Sequence, residues 1–208
     1  KLINLMRSEV KVFGGRLPTC SGASFVEKVP DAIPDELISA FKPLLATLRQ
    51  LQTQIKRYDC KIEKLCQDKY PQTRVLRQVG GVGPVVALTY VVTLDDPSRF
   101  TSSRSVGCYL GLTPRSYQSG GSNPQLRISK HGDGTLRRLL VSAAAHILRE
   151  RAPDTDLKRY GKKLARGGAP RDRARARVAV ARKLAVLLHR LWITGEVYQP
   201  TLEPIPQS

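Results

Sequence analysis

Acidic side chains are scarce in this chain of 208 residues: 17 Asp and Glu stand against 35 Lys and Arg, for a net charge of +18. That scarcity excludes a two-metal nuclease centre of the usual kind, which needs several convergent acids. Asp95 and Asp96 precede Pro97 in "TLDDPSRF", a turn composition. Asp133 and the Asp154/Asp156 pair have no histidine or third acid at ligand spacing, so no metal site and no resident cofactor are expected. Histidine is equally sparse. His131, His146 and His189 lie far apart, and neither a G-x-S-x-G elbow nor a Ser/His/Asp constellation is visible, which argues against an ordinary hydrolase. The cysteines, Cys20, Cys60, Cys66 and Cys108, form no C-x-x-C pair, so reduced thiols are expected rather than a zinc site or a disulfide framework. Long apolar runs are also missing. Val85 to Leu94 falls well short of the roughly 20 residues of a bilayer span, and no signal peptide opens the chain. A soluble intracellular protein is the expectation.

What is present is basic and helical. Between residues 112 and 195 there are 19 basic and 5 acidic side chains, so fourteen of the eighteen excess charges fall in that block. Such a density is best matched by a polyanion, because each Lys or Arg near a phosphate releases condensed cations. Leu37, Phe41, Leu44, Leu48, Leu51, Ile55, Tyr58, Ile62 and Leu65 alternate steps of four and three, the seam of a coiled coil or of an amphipathic helix on a core. Pro43 should kink or break that helix near its start. The fold class predicted is mainly α: a long coiled-coil arm over 34–70, then a compact helical domain over 71–194 containing a helix-hairpin-helix. Residues 1–33, which begin in what looks like mid-helix, are expected to be the remnant of a connector after a missing N-terminal domain. Residues 195–208, with three prolines, are expected to be a disordered tail. Thr135 is the expected cap of a helix carrying Leu136, Leu140 and Ile147, and a further basic helix is predicted over 171–193. The one candidate extended piece is Leu126 to Ser129.

Two segments carry candidate chemistry. In "VLRQVGGVGPVVALTYV", Gly81 and Gly83 permit a tight turn and bare the amides at a helix N-terminus, where a phosphate can sit. The same spacing describes a ligand-free turn between helices. In "TPRSYQSGGSNPQLRISK", Ser119 is followed by Gly120 and Gly121, with Arg115, Arg127 and Lys130 close in sequence. Those cations could stabilise charge on a phosphorus attacked by a serine hydroxyl. Equally, they describe a phosphate-gripping loop with no chemistry. Arg137 and Arg138, at the start of the next helix, extend the candidate DNA-binding set.

The glycine hairpin, the aspartate turn before Arg99-Phe100, "YLGLTPR", "SGG" and "RISKHGDGTLRRLL" follow one another in the order seen in a known family. Over roughly residues 75–150 the chain resembles the C-terminal transposase domain of the one-ten, one-sixteen and nine-oh-two group of insertion-sequence transposases, which includes the Piv-type DNA invertases. Val79-Gly80 stands where that group commonly has Ile-Pro. The resemblance implies a transposase or site-specific recombinase that cleaves and rejoins DNA, guided in some members by a structured RNA. It implies a composite active site, with Mg2+ held by four acids of a RuvC-like N-terminal domain and a serine supplied by the C-terminal domain. Ser119 matches that serine, with Ser116 and Ser122 as its neighbours. A cytoplasmic, nucleoid-associated protein of a bacterium or archaeon is implied as well, and the heptad arm is the candidate surface for homo-oligomerisation. Without the acidic domain, the polypeptide is expected to bind DNA yet fail to complete strand exchange, and the alternative is a non-catalytic helix-hairpin-helix module.

Overall fold

The computed structural model describes residues 1–115 and 126–201. Among these the regular structure is helical, apart from one isolated antiparallel bridge, Pro114 with Ile128. No helix among them is long and apolar enough to cross a membrane. The chain divides into two compact units, residues 1–61 and 62–208.

The first unit contains α1 (Leu2–Val12), the single-turn α2 (Phe25–Lys28), a 3-10 turn at Pro30–Ala32 and most of α3 (Asp35–Asp68). Residues 1–33 pack on α3. Met6, Val10, Phe25, Val26 and Val29 are fully or almost fully buried and form one core with Phe41 and Leu48 of α3. Leu37 and Leu44 pack against its edge. The N-terminal half of the heptad seam is thus occupied by its own chain. Farther along, Leu51, Ile55 and Tyr58 are 49%, 59% and 62% exposed, so the seam changes from core to surface within α3.

Pro43 does not break α3, which runs through it from Asp35 to Asp68. Its missing N–H deprives the Ser39 carbonyl of a helical partner, but Ser39 and Pro43 both face solvent, where water replaces the lost bond. The Thr47 hydroxyl donates to the Pro43 carbonyl at 3.0 Å, which satisfies another group on the same turn.

The second unit is built around α9 (Pro170–Thr194), whose Ala176, Val180, Ala181, Leu184, Ala185, Leu188 and Leu191 are buried. Ala176, Ala181 and Ala185 let other helices approach closely. α6 (Ser103–Tyr109), α7 (Gly134–Ile147) and α8 (Asp156–Leu164) all pack on α9, and the one-turn α4 (Thr73–Leu76) also reaches it. α5 (Pro84–Leu94) lies against α7 and sends Tyr90 inward, where its hydroxyl donates to the Ala185 carbonyl at 2.7 Å. Burial pushes the Tyr90 phenol well above its ordinary range.

Three local readings are corrected here. The cap of α7 is Asp133, which accepts from the Leu136 amide at 2.5 Å, rather than Thr135. An ionised carboxylate is the better acceptor at a helix N-terminus. α8 was not assigned from sequence, yet Thr155 caps it and Gly161 lets it dock: a Cβ there would collide with Leu148 and come within 2.8 Å of Val180. Finally, residues 195–201 are not a free tail. The Tyr198 amide donates to Gln78 Oε1 at 2.9 Å, and the Pro200 carbonyl accepts from the Asp156 amide at 2.9 Å.

Candidate nucleic-acid interface

The segment "SYQSGGSNPQ" at 116–125, with Ser116, Ser119, Gly120, Gly121 and Ser122, lies outside the described residues. Its two flanks do not. The Arg115 amide donates to the Arg127 carbonyl at 3.0 Å, and the Ser129 amide donates to the Thr113 carbonyl at 2.9 Å. These bonds make a short antiparallel stem of 113–115 and 127–129, so the extended piece expected at Leu126 to Ser129 exists as one arm of it.

The stem stands on a junction of two glycines. Gly111 has φ +63°, and a Cβ on it would run into the His131 backbone. Gly132 has φ +72°, and a Cβ on it would strike the Tyr109 carbonyl. "YLGL" and "KHGD" therefore cross backbone on backbone, which no other residue type would permit. Lys130 takes a left-handed φ of +61° at this crossing and donates its amide to the Gly111 carbonyl at 3.1 Å. Arg137 seals the junction, donating to the carbonyls of His131 at 2.8 Å and Leu110 at 3.1 Å.

Beside the stem a groove of about 1540 Å³ opens between α6, α8, α9 and residues 196–200. Its floor is apolar, with Leu112, Ile128, Val178, Val186 and Leu187, and its rim is cationic, with Arg104, Arg127, Arg171, Arg182 and Lys183. Pro114 and Leu126, one on each side of the 116–125 segment, also line it. The groove's acids are few. Glu196 receives Arg190 at 3.2 Å, and Asp156 lies 3.9 Å from Arg159. Lys183 sits 3.8 Å over the Tyr160 ring.

A serine and a histidine meet at the same groove. Ser103 lines it, and its hydroxyl lies 2.9 Å from Nδ1 of the fully buried His189. His189 Nε2 is 3.0 Å from the Pro97 carbonyl, which can only accept. In the neutral ring, Nε2 therefore carries the hydrogen and Nδ1 is left to accept from Ser103. No sequence motif marks this pair, since 86 residues separate the two. Asp96, by contrast, has the structural part its turn composition suggested. Its carboxylate accepts from the Ser98 hydroxyl at 2.7 Å and the Ser98 amide at 2.8 Å, and these two bonds hold its carboxyl below the usual carboxylate range.

Residues 73–160, which include the glycine hairpin, the junction and the stem, match the model of the Transposase IS116/IS110/IS902 family. The transposase for insertion sequence element IS1111A of Coxiella burnetii is 29% identical over 208 residues, covering 95% of this chain and 55% of that protein. The transposase for insertion sequence element IS1328 of Yersinia enterocolitica is 32% identical over 150 residues, covering 69% of this chain and 44% of that protein. The matched segment, residues 73–160, is similar to that of the IS116/IS110/IS902 transposases. The chain spans about half the length of these two relatives.

Within this fold the sequence-predicted residues separate into three groups. Arg115, Arg127 and Lys130 are exposed on or next to the stem. Arg137 is half-buried and committed to backbone carbonyls, so its guanidinium is a brace for the junction, while the exposed Arg138 donates to Thr135 Oγ1 at 3.2 Å. Gly81 and Gly83 lie apart from the stem, at a separate cavity of about 480 Å³ shared with Arg77, Ser142 and His146. There Gly81 has φ +89°, and a Cβ would come within 3.1 Å of the Ala143 carbonyl. The turn is thus packed on α7 as well as sharply bent. The helix ahead of it is a single turn, α4. Among the described residues no three His, Cys, Asp or Glu side chains converge to hold a metal ion. Asp96 and Asp133 are used as caps, and Asp154 pairs with Arg159 at 2.8 Å, so these acids do not fit a magnesium site.

Proposed function

We propose that this chain is the C-terminal part of a DNA transposase, binding DNA through its basic second unit and supplying Ser119 as the nucleophile of strand cleavage. The likeness to these transposases supports the transposase reading. The observation that carries the site is the placement of the "SGG" flanks: Pro114 and Leu126 both line an arginine-rimmed groove. Ser119 is four residues from Arg115 in sequence, and a phosphodiester held by Arg115, Arg127 and Lys130 is the proposed target of its hydroxyl.

In the proposed step, Ser119 Oγ bonds to phosphorus and the bond from phosphorus to one sugar oxygen breaks. The serine proton is lost to solvent and the leaving sugar oxygen takes one up. The cations stabilise the charge gathered on the phosphoryl oxygens. Because one phosphodiester replaces another, a second strand's hydroxyl can reverse the step and complete the exchange. Magnesium chemistry, where the reaction uses it, is assigned in this reading to acids outside the chain. Leu51, Ile55 and Tyr58 on α3 support assembly with a second copy, and a structured guide RNA is a further proposed partner.

Ser119→Ala tests the assignment. With the acidic N-terminal half supplied, labelled duplex should form a covalent adduct visible on a denaturing gel with the wild-type chain and none with the variant, while duplex affinity stays within about twofold. Equal adduct in the variant overturns Ser119, and Ser116→Ala and Ser122→Ala then identify the neighbour. A second reading, a non-catalytic nucleic-acid module, is favoured by the glycine turn at Gly81 and Gly83 with Arg77 beside it. Absence of adduct in every form of the reaction, with binding retained, would select it.

A further inference from the structure

We propose that the groove of the second unit is a binding site for single-stranded nucleic acid, with phosphates on Arg104, Arg171 and Arg182 and unstacked bases on the apolar floor and on Tyr198. The inference rests on the preceding reading that the chain acts on nucleic acid, and it assigns a strand form to a surface that no sequence motif marked.

The rim argues for a polyanion. Arg104, Arg127, Arg171 and Arg182 line the groove, and among the described residues none of their guanidinium groups is in an ion pair. Glu196, an acid that could have neutralised them, is occupied by Arg190. Arg182 is also held in place. Its aliphatic stem lies over Gly107 of α6, so closely that a Cβ on Gly107 would come within 3.1 Å of Arg182 Cγ. A guanidinium steadied in this way loses less freedom on meeting a phosphate.

The floor argues for an opened strand. Phosphates alone would leave Leu112, Ile128, Val186 and Leu187 against charged, hydrated oxygens, an unfavourable pairing. A duplex presents its backbone outward and keeps its base faces stacked inside. A single strand offers those flat apolar faces to the protein, and a cationic groove with aromatic platforms is the usual way of taking them. Among the described residues, two tyrosines line the groove. Lys183 occupies one face of Tyr160, whereas Tyr198 is fixed through its backbone by Gln78 and by the Asp156–Pro200 bond that anchors its segment. An isolated phosphate or an acidic peptide would have no use for the floor.

Fluorescence anisotropy with labelled oligonucleotides of about 12 nucleotides, within the span such grooves cover, tests this on the whole chain. Single-stranded DNA, single-stranded RNA and the DNA duplex of the same sequence form the three arms. At least one single strand should bind about tenfold more tightly than the duplex, and the DNA and RNA arms decide which sugar is preferred. Tyr198→Leu should weaken single-strand binding by about tenfold, the scale of losing one stacked base. The paired change Arg104→Gln and Arg182→Gln, at exposed positions, should reduce the slope of log affinity against log salt by about 1.4, which is about 0.7 for each phosphate released. Duplex bound as tightly as both single strands overturns the inference, as does Tyr198→Leu without effect. Displacement of the strand by polyglutamate at equal charge overturns it too. In all three outcomes, loss of adduct in Ser119→Ala still stands as the separate test of the nucleophile.

Discussion

At the scale of single residues, the second unit depends on polar groups that find their partners far away in sequence. Among the described residues Tyr90 is the largest fully buried side chain, and its phenol reaches the Ala185 carbonyl across 95 positions. Because burial raises the phenol's pKa in the folded chain, the unfolded chain loses that proton first as pH rises. The stabilisation is therefore complete below about pH 10, the ordinary phenol value, and declines above it. Urea unfolding at about pH 9 and about pH 11, on either side of that value, should show a larger loss for the wild type than for Tyr90→Phe. An equal loss would mean that Tyr90 does not carry the alkaline dependence. Arg137 and His189 teach a related lesson. An arginine in a basic run is expected on phosphate and a lone histidine on a helix is expected to pack, but the first braces a backbone crossing and the second sets the donor direction of Ser103.

At the scale of elements, the decisive contacts are made by glycines where two segments cross. Gly132 and Gly168 share a left-handed φ, +72° and +68°, but only Gly132 faces another backbone. Gly132→Ala should therefore cost about 2–4 kcal/mol, from strain together with the collision at Tyr109. Gly168→Ala, with nothing within 4 Å of its Cβ, should cost about 1–2 kcal/mol, from strain alone. Urea midpoints of the two variants compare them directly, and similar losses would remove the crossing as the reason for glycine in "KHGD". The helices themselves were largely legible. Pro84 opens α5, Ser102 caps α6, and the alanine and leucine spacing of α9 gives its buried face. α8 was not legible, because its apolar face is short and Gly161 reads as a breaker until the helix it leans on is known. The heptad seam of α3 was legible as a pattern but not as a destination, since the same spacing serves a core at Phe41 and a surface at Ile55.

At the scale of the whole molecule, two separate cores should unfold separately. The first unit is held by a small cluster around Met6, Phe25 and Phe41, and so short a segment buries a smaller share of its surface than a larger one. Hydrogen exchange should show amides of α1 opening at lower free energy than those of α7 and α9, with two transitions in denaturant rather than one. A single transition with uniform protection would refute this. By itself the amino-acid sequence determined the helical class, the concentration of positive charge and the family resemblance, because periodicity, composition and ordered motifs are properties of the chain read in line. Only the tertiary structure decided which cations are committed to braces and which remain on a rim, that Ser103 meets His189, and that both flanks of the serine segment share one groove. Those are relations between residues tens of positions apart, set by which helix faces and glycine crossings pack together.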